Sequence, residues 1–260
     1  MLVHVDAFAD RPFAGNPAAV CVLAGPADEA WMQAMAGEMN LAATAFVWPQ
    51  AEGFSLRWFS PTTELTLCGH GTLASAHVLL EGGRAPGNGE IRFHTRAGPL
   101  VASRQAERIE LNFPAEPSTP AEAPPDLLRA LDQVPVRVER NRLDYLLELH
   151  SEAEVRAARP DLNLLRGVDT RGLIITARSA TAGGDFVSRF FAPSVGIDED
   201  SVTGSAHCCL GPYWQRQLGK AELVGVQLSP RGGVVYVRVN GDRVRLGGQA
   251  VTVLRATCVL

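Results

Sequence analysis

Residues 57–111 of this chain recur in weaker form at 189–246, and each copy sets a glycine-centred turn at the start of an apolar helix. Arg57-Trp58-Phe59-Ser60-Pro61 answers Arg189-Phe190-Phe191-Ala192-Pro193 at an offset of 132 residues, and Cys68-Gly69-His70-Gly71 answers Thr203-Gly204-Ser205-Ala206 at an offset of 135. Beyond the turns the register reads as ungapped, placing Arg96, Gly98, Arg108 and Leu111 on Arg231, Gly233, Arg243 and Leu246. A repeat outranks local propensity, because it makes the chain two related units. Its period is far too long for a solenoid. Two duplicated domains facing one another are therefore expected, with a ligand site in the cleft where they meet.

The 260 residues suffice for two cores of roughly 110 to 130 residues each. The one compositional break is Phe113 to Pro125, with five prolines in thirteen residues. Prolines cannot join a sheet interior and favour extended geometry, so this stretch is expected to link a domain at 1–112 to one at 126–260, with the last strand free to return to the first. Segments rich in β-branched and aromatic residues predict strands near 2–8, 18–23, 45–48, 55–59, 91–95, 108–113, 143–149, 172–177, 186–191, 224–229, 234–239 and 243–247. Helices are expected to be few. The clearest run from Thr72 to Leu80 and from Ala206 to Leu218, and both are apolar nearly all round, which predicts burial. The fold class is thus α+β, with each half a strand-rich shell around one central helix.

Two positive helix ends facing one cleft would hold an anion on the N–H groups of Gly69, His70 and Gly71 and of Gly204, Ser205 and Ala206. A small carboxylate is the simplest ligand to propose, since no nucleotide-binding fingerprint follows either turn. A net charge of −4 and a pI near 5.9 offer no basic field for nucleic acid. No run of 18 apolar residues and no leader-like N-terminus is present, so neither a membrane nor export is expected, and the cytoplasm is the expected location. Five cysteines without framework spacing fit a reducing compartment.

The strings Asp6-Ala7-Phe8, Phe13-Ala14-Gly15-Asn16-Pro17, Asn40-Leu41-Ala42-Ala43-Thr44, Arg57 to Leu65, Cys68-Gly69-His70-Gly71-Thr72, Glu199 to His207 and Gln227 to Gly233 resemble the PhzF-like phenazine-biosynthesis protein family over essentially the whole chain. The resemblance implies the diaminopimelate epimerase-like fold, two pseudosymmetric barrel-like domains each around a central helix. It also implies proton transfer on a small carboxylate without cofactor or metal, often within a homodimer. In the family's characterised isomerase a glutamate of an Asn-x-Ser-Glu-Thr segment carries the proton. Here Ala43 stands in its place, preceded by Ala42. An alanine neither accepts nor donates a proton, so that route is closed.

His70, Asp200, Ser205 and Asn16 match the family's remaining polar positions. Ser201 stands where a proline is common. In racemases that look like distant relatives a cysteine at each glycine turn is the base. Cys68 occupies the first such place and Thr203 the second. A thiol ahead of a helix start, with a histidine beside it, can act as a base near neutrality; the alternative is a buried, inert thiol. One thiol facing a threonine favours one-sided isomerisation or elimination over racemisation. His70 could donate to a carboxylate or cap its helix, and Asp200 could act as base, orient substrate or cap the second helix. Ser205 is expected to donate to substrate, with Gly69, Gly71, Thr72, Thr203, Gly204 and Ala206 completing the contacts. His207-Cys208-Cys209 are neighbours on a helix, about 100° apart, and form no ligand set. An isomerase, a carboxylate-binding protein and a dimerising scaffold all remain open, the polar groups at the turns arguing against the last.

Overall fold

The computed structural model describes residues 1–86 and 89–258. Its chain separates into two compact units, Met1–Asn112 with Gly247–Leu260, and Phe113–Leu246. No helix among the described residues is long and apolar enough to cross a membrane.

The first unit runs β1 (Leu2–Ala7), β2 (Asn16–Val22), α1 (Glu29–Met39), β3 (Ala43–Gln50), β4 (Gly53–Phe59), β5 (Glu64–Leu65), α2 (Gly69–Glu81), β6 (Glu90–Thr95), β7 (Gly98–Gln105) and β8 (Arg108–Pro114). Strand β1 is antiparallel to β2, β2 parallel to β3, and β3 antiparallel to β4. Strand β4 then pairs antiparallel with β5 and parallel with β6, which continues antiparallel into β7 and β8. The last strand of the chain, Ala250–Ala256, lies antiparallel on the other side of β1.

The second unit repeats that connectivity. It comprises β9 (Thr119–Pro120), α3 (Pro125–Leu131), β10 (Arg137–Arg140), β11 (Asp144–Glu148), α4 (Glu152–Ala157), α5 (Leu162–Arg166), β12 (Gly172–Arg178), β13 (Phe186–Ala192), β14 (Ile197–Asp200), α6 (Gly204–Leu218), β15 (Glu222–Gln227), β16 (Gly233–Asn240) and β17 (Arg243–Gly248). The final strand of the first unit is thus β18. In the same sequence of partners, β10 is antiparallel to β11, β11 parallel to β12, β12 antiparallel to β13, and β13 antiparallel to β14 and parallel to β15. Strand β9 takes on β10 the place that β18 takes on β1.

Both central helices are buried on nearly every side, as an all-round apolar sequence requires. Each begins earlier than its apolar run. Cys68 and Thr203 are the N-caps, in extended conformations with φ and ψ of −144° and 101° and of −110° and 101°, so the glycine turn is itself the first helical turn. Helices α1, α3, α4 and α5, with strands β5, β7, β9, β10, β14 and β18, were not expected from sequence. Helix α1 has only Met32 and Ala36 buried, too thin an apolar stripe to stand out.

The pairing corrects the register read from sequence. Ser55 lies beside His94 and Val187 beside Val226, so β6 and β15 match at an offset of 132, like the strands before the helices. Their hairpins restore 135, because Thr95 pairs directly with Gly98 whereas Gln227 pairs with Gly233. The repeat is therefore gapped after each helix, and Gln227 is the structural counterpart of Thr95.

Proline 212 sits inside α6 and has no N–H to give the carbonyl of Cys208. The N–H of Glu116 takes that carbonyl at 3.0 Å. Ala115 N–H donates to the Asp242 carbonyl, the Ser118 hydroxyl to Glu139 at 2.6 Å, and Thr119-Pro120 pairs with β10. The proline-rich stretch 113–125 is thereby bonded into the second unit along its first half.

One ion pair recurs in both units. The Arg57 guanidinium grips Glu64 through Nε at 2.7 Å and Nη2 at 2.8 Å, and Arg189 grips Glu199 through Nε at 2.7 Å and Nη2 at 2.9 Å. Each arginine also lies over the phenylalanine two residues on, 5.1 Å from the Phe59 ring and 4.9 Å from Phe191. Arg57 has a second carboxylate, Glu29, at 2.6 Å, whereas Arg189 otherwise meets only the carbonyls of Val155 and Ala158. Removing one partner of a buried pair costs about 3 kcal/mol or more. Glu199→Ala should therefore lower stability to urea by about that amount, and Glu64→Ala by clearly less; equal losses would show that Glu29 does not share the load.

Candidate active site

In the first unit, β4, β5 and the start of α2 place a thiol among nitrogen groups. The Cys68 sulfur accepts from the Gly71 N–H at 3.4 Å and lies 3.6 Å from Nδ1 and 3.8 Å from Nε2 of His70. Cys68 is 5% exposed and His70 half-buried. A Cβ at position 71 would stand 2.9 Å from the Trp58 ring and 3.0 Å from the sulfur, so glycine is what lets the thiol cap the helix. The Thr72 hydroxyl donates to the Cys68 carbonyl at 2.7 Å, closing the turn from below.

The second turn has the same backbone and different chemistry. The Thr203 hydroxyl does not cap α6; it donates to Asp200 Oδ2 at 2.7 Å. The opening N–H groups of α6 at Gly204, Ser205 and Ala206 thus receive no side-chain cap from Thr203. Ser205 is half-buried between the buried Gly204 and Ala206, as His70 stands out from its own turn. His207 replaces Thr72, its Nδ1 lying 2.8 Å from the Thr203 carbonyl. Complete burial beside Phe186 drives the His207 pKa down to about 4, so the ring is neutral with Nδ1–H as donor.

Each helix start carries partial positive charge, which favours an anion near it. Ala43 opens β3 opposite Ala18 and is fully buried. Asn16 opens β2 opposite Ala7, also buried, on a strand against which α2 packs. Sequence reading therefore gathered two clusters, Cys68 to Thr72 and Asp200 with Thr203 to Ala206, each of which the fold holds together within its own unit. It passed over the side chains of Gln227 and Ser229, which reach into the Asp200–Thr203 loop. Gln227 is fully buried and opens the family-like string Gln227 to Gly233, but that string does not say which loop its amide meets.

The other buried thiols are inert. Burial pushes Cys21, Cys208 and Cys209 up to about 12, leaving them protonated at neutral pH. Among the described residues no three His, Cys, Asp or Glu side chains are grouped as a metal site needs.

A strand shell around a buried helix that rises from a glycine turn, built twice on one connectivity, defines the diaminopimelate epimerase-like class of folds. A hydroxyproline epimerase from Agrobacterium vitis shares it with a TM-score of 0.63 at 12% identity, covering 97% of this chain and 90% of that one. The chain belongs to the phenazine biosynthesis-like protein family, whose sequence model matches residues 5–256. It is 51% identical over 257 residues to an uncharacterised isomerase of Halalkalibacterium halodurans, spanning 98% of this chain and 97% of that protein. The crystal structure of a PhzF-family protein from Enterococcus faecalis matches with a TM-score of 0.95 at 38% identity, over 100% of this chain and 98% of that one.

His207 makes a pH-dependent stability testable. An unfolded histidine binds its proton near pH 6.5 and the folded one only near 4, so stability falls as pH drops through that window. The loss should approach about 3 kcal/mol. Urea unfolding at pH 7 and pH 4.5 should show a smaller difference for His207→Gln than for the parent protein; an unchanged difference would place the acid sensitivity elsewhere.

Proposed function

We infer that the protein is an isomerase that moves a proton on a small carboxylate without a cofactor, with Cys68 and His70 as the proton-handling pair and Asp200 and Ser205 as further candidate site residues. What supports this most is the setting of Cys68, a thiol with one N–H donor and an imidazole within 3.8 Å at the start of a thirteen-residue helix. A helix start and a neighbouring histidine are the surroundings that favour a thiolate, against the burial that opposes one. The isomerase named among the relatives, at 51% identity, supports the reaction class.

In this reading the substrate carboxylate rests on the opening N–H groups of a glycine turn, at residues 69–70 or at 204–206, since those of Gly71 and Thr72 already serve the Cys68 sulfur and carbonyl. The Cys68 thiolate takes a proton from a carbon adjacent to the carboxylate or conjugated with it. The electron pair of the broken C–H bond delocalises toward the carboxylate, whose charge the helix ends stabilise. His70 delivers a proton to a second carbon and the Cys68 thiol then returns its proton to the His70 ring, 3.6 Å away, so the product is an isomer with no net change in atoms or charge. Thr203, in the place of a second thiol, already donates its hydroxyl to Asp200. Such a site works from one side, which favours a positional shift over racemisation. A homodimer accompanies this reading through the family resemblance and is measured by light scattering.

Incubating amino, hydroxy and cyclic carboxylates with the protein in heavy water should put deuterium on carbon. Cys68→Ser should cut that rate by about 10³-fold and His70→Asn by about 10²-fold, since a positioned acid or base contributes in that range. Loss of exchange in Asp200→Asn alone would make the aspartate the base. Ala43→Glu adds back the carboxylate that the family uses. Absence of exchange with every substrate and variant, that one included, would favour a carboxylate-binding protein.

A further inference from the structure

Asp200 does not stand alone in its loop. Gln227, at the end of β15 and fully buried, accepts the Thr203 N–H on Oε1 at 2.9 Å. Its Nε2 donates to the Asp200 carbonyl at 2.8 Å and to the Thr203 hydroxyl oxygen at 3.2 Å. An N–H can only donate and a carbonyl can only accept, so the amide cannot be turned over without losing two bonds. Both of its hydrogens are thus committed, one of them to Thr203 Oγ1. That hydroxyl has a single proton, and it goes to Asp200 Oδ2 at 2.7 Å. Ser229 adds a second tether, its hydroxyl donating to the Ser201 carbonyl at 2.7 Å.

The first unit builds the same turn without this device. Thr95, the counterpart of Gln227, spends its hydroxyl on the Gly98 carbonyl at 2.6 Å, closing its own hairpin. The loop there carries Leu65 where the second carries Asp200, and Thr66 and Leu67 are exposed. The fold therefore does not require the glutamine. It occurs in the unit that has a carboxylate to aim.

We propose that Gln227 is a positioning residue for the reaction, fixing the aspartate through a one-way hydrogen-bond chain from Gln227 Nε2–H to the Thr203 hydroxyl to Asp200 Oδ2. It acts through Asp200 without touching substrate, and it rests on the isomerase reading above only in its effect on turnover. Gln227→Glu keeps shape but has no N–H to give, and Gln227→Met removes every polar bond.

The test reads the Thr203 hydroxyl proton by NMR in threonine-labelled protein, with thermal melting to establish folding. A protected, downfield proton is expected in the parent protein and its loss in both Gln227 variants. On the carboxylate that exchanges deuterium fastest, Gln227→Glu should lower kcat by about 10-fold to 100-fold with KM nearly unchanged. The Gln227 effect on turnover should vanish in an Asp200→Asn background. A hydroxyl signal that persists in folded Gln227→Glu, or a Gln227 effect that survives in Asp200→Asn, overturns the proposal. If no protein exchanges deuterium, the isomerase reading fails while the hydroxyl proton still decides the chain. Should Gln227→Met not fold, Gln227→Glu carries both measurements.

Discussion

A guanidinium cannot shed its charge, so a buried arginine dictates what surrounds it. Arg189 is nearly enclosed, and its bidentate grip on Glu199, with the carbonyls of Val155 and Ala158, ties β13, β14 and α4 to one point. Arg57 does the same for β4 and β5 through Glu64. Each fork closes the hairpin whose far end delivers the N-cap of the central helix. Positions four residues before Cys68 and Thr203 are thus clamped to the sheet. The helix start, where the proposed site lies, inherits its place from that ion pair.

With the backbone so fixed, the two turns differ only in side chains, and that difference divides the labour. Cys68 caps its own helix and keeps its sulfur beside His70. Thr203 leaves its helix uncapped and turns to Asp200. The interior positions follow the same logic, since Thr72 and His207 both return to the N-cap carbonyl, by a hydroxyl in one unit and a neutral imidazole in the other. A glutamate at position 43 would have to enter a fully buried place now lined by Ala18 across the ladder. With alanine there, the titratable side chains of the proposed site are those at the turns, where helix ends can act on them.

Much of this was legible in the sequence because repetition and periodicity are local or additive signals. The repeat announced two units, the all-round apolar runs announced two buried helices, and Cys68-Gly69-His70-Gly71 and Asp200 to Ala206 announced the two turns. Helix α1 and the pairing of Thr119-Pro120 with β10 were not announced, and the return of the last strand to the first unit was left open. Each depends on a surface or an edge contributed by residues far away in the chain.

What the sequence determined by itself was therefore chemistry by type: which residues can hold a proton, which glycines admit a close approach, and where two copies of one plan lie. Tertiary structure decided direction and distance. The ungapped register after the helices failed because three residues moved from one side of a strand to the other, a change that identity matching cannot see and hydrogen-bond pairing fixes. Gln227 became more than a strand end only when the sheet carried its amide to the loop of Asp200, and a hydrogen bond gains its sense from which atom meets which, a relation that exists only between folded segments.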